Sequence, residues 1–101
     1  MKKIINRKLY DTETAEYIGC DSYSNPGDFN YWLEELYMKS NGEFFLYGEG
    51  GANSRYSKEV ETNGWTNGWN ITPMTRDEAQ DWAEEHINAD KYIEIFGEPE
   101  E

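Results

Sequence analysis

The 101-residue chain sets 21 Asp and Glu against 9 Lys and Arg, for a formal net charge of −12, and its one cysteine excludes an internal disulfide or a multi-cysteine zinc site. That length is a single domain, residues 1–101, with a modest core. Hydrophobic residues are 37% and aromatics 16% of the chain, so the core rests on a few large side chains and leaves rings over for the surface.

The charge is unevenly placed. Lys2, Lys3, Arg7 and Lys8 make the first ten residues basic, with no acid among them, whereas the other 91 hold 5 basic and 21 acidic groups, a balance of −16. Such an excess repels phosphate, so direct nucleic-acid binding is not expected; it suits a basic partner, or serves solubility alone. No apolar run is long enough to span a membrane, and Met1-Lys2-Lys3-Ile4-Ile5 gives way at once to polar Asn6-Arg7-Lys8. Neither a membrane segment nor a signal peptide is expected, which places the protein in the cytoplasm.

In chain order, residues 3–10 read as one short strand anchored by Ile4, Ile5, Leu9 and Tyr10. Residues 11–19 read as helix capped by Asp11 or as strand, and Thr12, Thr14, Tyr17 and Ile18 favour strand. Residues 21–28 are dense in turn formers and read as a loop. Residues 30–48 carry the strongest signal, a β-hairpin turning on Asn41-Gly42. A two-residue turn would pair Met38 with Phe45. A three-residue loop, Ser40-Asn41-Gly42, pairs Met38 with Phe44 and Leu36 with Leu46, and gathers those four on one face. Glu35, Tyr37, Lys39, Glu43, Phe45 and Tyr47 then share the other face. This cleaner segregation selects the three-residue loop.

Residues 52–60 read as one or two helical turns with Tyr56 and Val60 inward, and Asn63 to Asn70 as a loop bearing Trp65 and Trp69. Trp69 to Thr72 reads as an edge strand ended by Pro73. Thr75-Arg76-Asp77-Glu78 is a capping box, followed by an apolar stripe of Ala79, Trp82, Ala83, His86 and Ile87. Asp90 reads as the cap of a last short helix, Lys91 to Phe96, stopped by Gly97, with residues 98–101 as a frayed tail. The expected architecture is α+β, an antiparallel β-meander with a C-terminal helix packed on one face.

Chemistry is sparsely signalled. The single histidine, His86, sits on an apolar helix stripe, where a half-buried structural role is the ordinary one, and Cys20 beside Asp21 lies in an acidic setting that disfavours thiolate. Carboxylates abound, but those of the main helix lie opposite its apolar stripe, as a solvated face does, so neither a metal, a cofactor nor a catalytic residue is expected. Gly48-Glu49-Gly50-Gly51 lacks the lysine and spacing of a nucleotide loop. What remains is a binding surface: Tyr37, Tyr47 and Trp65 as aromatic anchors, with Asp81, Glu84 and Glu85 as the charged field around them.

The run from Lys8 to Ala15, Asp28-Phe29, Glu35-Leu36-Tyr37, the run from Phe44 to Gly51, Ile71-Thr72-Pro73 through Ala79 and Trp82, and Tyr92 to Gly97 together resemble a family of small acidic proteins. Its members occur on phages and mobile elements of Gram-positive bacteria and include anti-CRISPR proteins against type II-A effector nucleases. The resemblance spans nearly the whole chain. It implies a bacterial host cytoplasm and an inhibitor that binds a CRISPR effector nuclease or its RNA complex, interfering with guide-RNA or target-DNA engagement. It transfers no catalytic motif. Two alternatives stand beside it: a regulatory or interaction protein of a mobile element that binds another basic protein, and, more remotely, a metal-dependent nuclease acting on guide RNA.

Overall fold

A computed structural model describes residues 1–61 and 64–101. The chain opens on a hairpin, β1 (Lys2–Ile5) and β2 (Lys8–Asp11), with Lys3 opposite Tyr10 and Ile5 opposite Lys8. The single strand expected over residues 3–10 is thus two strands. Asn6 and Arg7 both take positive φ, 52° and 66°, which is the twist a two-residue hairpin demands. Asn tolerates that region and Arg does so rarely, which is why the turn is hard to see in the sequence.

A turn then leads into β3 (Glu16–Tyr23), which runs further into the expected 21–28 loop than its turn formers suggest and is followed by Ser24 at φ 63°. β4 (Trp32–Met38) and β5 (Phe44–Gly50) form the central hairpin in the three-residue-loop register, Met38 opposite Phe44 and Leu36 opposite Leu46, with Gly42 at φ 90°. Residues 52–57 are turns rather than helix, and Lys58–Val60 form β6, paired with β7 (Gly64–Thr66). Tyr56 is buried as expected, whereas Val60 is exposed. In the expected tryptophan loop, Asn63 lies outside the described residues, and residues 64–70 belong mostly to β7 and to β8 (Gly68–Met74). Pro73 stays within β8 opposite Phe45, because β8 is the edge of the sheet and one of its sides needs no donor.

Strands β3, β4, β5 and β8 make one antiparallel sheet in that order. Onto one face pack α1 (Arg76–His86) and α2 (Ala89–Phe96). Thr75 caps α1 with the full capping box, accepting from Glu78 N at 3.1 Å while Glu78 Oε1 accepts from Thr75 N at 2.9 Å. Asn88, not Asp90, caps α2, accepting from Lys91 N at 2.8 Å. Ala79 and Ala83 are fully buried and let α1 close on the sheet, so that Trp82 joins Ile18, Leu36, Phe44 and Leu46 in one core, with Met38 and Ile87 at its margin.

The opposite face is not open. The β1–β2 hairpin lies over it, and Tyr10, Tyr37, Phe45, Tyr47 and Ile71 form a second core beneath, flanked by Ile5 and Ala15. Tyr10 meets Phe45 edge-on, centroids 5.5 Å apart, and Tyr37 stacks on Phe45 at 5.3 Å. Lys3 Nζ donates to Asn70 Oδ1 at 2.9 Å, tying the hairpin to β8. The fold is α+β with three layers: hairpin, sheet and helix pair.

Candidate functional site

The expected binding residues separate into two groups. Asp81, Glu84 and Glu85 are exposed on the outer face of α1, and Trp65 is 58% exposed on β7. Tyr37 and Tyr47 are 8% and 6% exposed, inside the second core, so they are not surface anchors. Their sheet face is polar-aromatic in sequence and looks solvated until the terminal hairpin covers it. Their hydroxyls are satisfied locally: Tyr37 donates to Glu35 at 3.0 Å, and Tyr47 and Tyr31 donate to Glu49 at 2.6 and 3.0 Å. Burial first, and then the acceptor carboxylates, hold all three phenols above their ordinary pKa.

On α1 the acids form a stripe. Asp77, Asp81, Glu84 and Glu85 fall at spacings of three and four, on the face away from buried Ala79, Trp82 and Ala83. Among the described residues no lysine or arginine pairs with any of them; the nearest ring nitrogen is His86 Nε2, 3.9 Å from Glu85. This arrangement works against the helix. Like charges at i,i+4 each cost about 0.2–0.5 kcal/mol, and acids in the last turn oppose the dipole.

Beside α1 the sheet carries a feature not singled out in the sequence. Glu34 lies on the same strand face as Leu36 and Met38, directed at the helix layer, and is 6% exposed. Its Oε1 accepts from Trp82 Nε1 at 2.9 Å, and its Oε2 accepts from the Tyr56 hydroxyl in a short hydrogen bond. Tyr56 reaches it because Gly48 has no side chain: a Cβ there would lie 2.0–2.3 Å from the Cζ, Cε1 and hydroxyl of the Tyr56 phenol. Burial, and then the hydrogen bond to Glu34, hold the Tyr56 phenol well above its ordinary pKa. Among the described residues the one cation paired with Glu34 is Arg55, Nη1 3.5 Å from Oε2, with its side chain 68% exposed. Glu34 and Arg55 line an open cleft of about 400 Å³ together with Trp32, His86, Asn30 and Asn53.

His86 forms part of the cleft wall. Its Nδ1 is 2.7 Å from Asp21 Oδ2, and its ring lies 4.7 Å from Trp82 and edge-on to Trp32 at 6.4 Å. Because an ionised Asp21 can only accept, Nδ1 is the protonated nitrogen. That hydrogen bond is the main reason Asp21 lies below the usual carboxylate range. The alternation Trp32, Glu34, Leu36, Met38 is the signal that could have marked the site, since a carboxylate on the buried face of a strand requires partners. Arg55, Tyr56 and Asp21 reach it only through tertiary folding.

Among the described residues no three His, Cys, Asp or Glu side chains gather as metal ligands do, and no helix is long and apolar enough to cross a membrane. Cys20 is free and exposed. No protein-family model, curated protein or solved structure matches this chain.

Proposed function

We propose that this protein is an inhibitor acting by stoichiometric binding of a basic partner, and that the partner is a type II CRISPR effector nuclease or its RNA complex. The observation that carries the binding reading is the acidic stripe of α1, four exposed carboxylates on a helix that would be more stable without most of them. A basic surface laid against the stripe relieves that repulsion. An effector that holds nucleic acid in a positively charged channel offers such a surface, and a small acidic domain competes there as a phosphate mimic. The sequence resemblance supplies the identity of the partner. Trp65 is the exposed ring expected to anchor the contact, with Trp69, 42% exposed on β8, beside it in sequence.

The test is co-purification with a type II-A effector, with and without guide RNA, for the wild type and for Asp81→Lys/Glu84→Lys/Glu85→Lys. The wild type is expected to be retained and the reversed variant to be lost in low salt. Retention by an unrelated basic protein but not by the effector would instead support the mobile-element regulator.

A further inference from the structure

Glu34 is a carboxylate almost closed off from solvent, and such a charge is stable only when well paired. Two neutral donors, Trp82 and Tyr56, satisfy its oxygens from within, but its counter-charge is loosely held. Arg55 stands 3.5 Å away without a hydrogen bond, beyond the 2.7–2.9 Å typical of a charge-assisted contact. Its guanidinium also lies 5.0 Å over the Tyr56 ring, and most of the side chain is in solvent. The fold therefore presents a buried anion at the floor of an open cleft, with an intramolecular guanidinium resting at its mouth.

The walls suit the same group. Trp32 and His86, set edge to face, contribute aromatic surface, and the Asn30–Asn53 amide pair, joined at 3.3 Å, contributes polar atoms. A planar guanidinium can stack on a ring and direct its fork at a carboxylate together, which a compact ammonium cannot. We propose that the cleft over Glu34 is a receptor for an arginine side chain of a protein partner, occupied in the free protein by Arg55, which leaves for solvent when the partner's arginine enters. This concerns a different surface from the α1 stripe and stands whether or not the partner is a CRISPR effector.

The test uses the ¹⁵N-labelled full chain, with the Trp82 indole N–H, which donates to Glu34, as the reporter. The ligands are the blocked tripeptide acetyl-Gly-Arg-Gly-amide and its lysine counterpart. The arginine peptide is expected to shift the Trp82 signal saturably in the wild type. In Arg55→Ala it should bind about two- to five-fold more tightly, the range set by removal of an exposed competing ion pair. The lysine peptide should bind more weakly to both, and Glu34→Gln should abolish saturable binding. Arg55→Ala removes an exposed side chain, so the comparison stands even where Glu34→Gln does not fold. Equal affinity for the two peptides, unchanged affinity in Arg55→Ala, or no saturable shift in either protein would overturn the proposal.

Discussion

The close approach of Tyr56 to Gly48 makes a sharp test of how the buried carboxylate is built. Gly48→Ala sets a methyl where the Tyr56 ring now lies, and the ring cannot simply pivot because its hydroxyl is bonded to buried Glu34. Tyr56 is 7% exposed, so expelling it forfeits the burial of a large aromatic side chain, about 3–5 kcal/mol by comparison with aromatic truncations. Glu34 also loses a donor, a penalty of about 1–3 kcal/mol, while the reduced freedom of the unfolded chain returns only about 0.4–1 kcal/mol. Relaxation overlaps these terms, and the expected net loss is about 3–5 kcal/mol, a large part of the roughly 5–15 kcal/mol that holds such a domain. Urea unfolding followed by tryptophan fluorescence measures it. The decisive comparison is a double-mutant cycle: in a Tyr56→Ala background, Gly48→Ala should cost under about 1 kcal/mol, because the clash has gone. Equal costs in the two backgrounds would refute the reasoning.

Trp82→Ala should destabilise by about 3–5 kcal/mol in the same assay, since it opens the helix-side core and strips Glu34 of its other interior donor. Thr75→Ala should cost about 1 kcal/mol through loss of the capping box, read as a lower urea midpoint with an unchanged slope. Replacing Glu84 and Glu85 by lysine should stabilise the free protein by about 0.3–1 kcal/mol each, by favouring the helix dipole, while slowing association with the partner, an effect that shrinks as salt screens it. Tyr31, Tyr37, Tyr47 and Tyr56 have folded pKa values raised above the ordinary 10.0. The stability linked to them is complete below that value and is lost as pH rises through the folded ones. Alkaline unfolding should therefore coincide with a cooperative rise in tyrosinate absorbance; a smooth titration of all tyrosines near pH 10.0 without unfolding would contradict it.

Much of the helix-side half was legible in the residues. Asn41-Gly42 between apolar runs marked the central hairpin, the gathering of Leu36, Met38, Phe44 and Leu46 on one face selected its register, and Thr75 with Glu78 specified the start of α1. The other half was not. Asn6-Arg7 turns the chain with no glycine, so one strand conceals two, and the hairpin it creates is what buries Tyr37 and Tyr47. A tyrosine-rich strand face looks alike whether it meets water or a thin covering layer, because phenol hydroxyls find carboxylates in either setting. The Glu34 cleft is hidden in the sequence for a related reason. Its alternation was visible, but the partners that make it a site, Arg55, Tyr56 and Asp21, come from segments distant in sequence and joined only in the fold.

The central claim is stoichiometric inhibition, and the most direct measurement is a titration of target-DNA cleavage by a type II-A effector held well above the dissociation constant, with the protein added before the guide RNA. Cleavage should fall linearly with added protein and reach its floor at equimolar inhibitor, whether or not divalent-metal chelators were used in preparing the inhibitor. Undiminished cleavage at a large molar excess would contradict the account. So would complete inhibition far below equimolar protein, which would mean turnover.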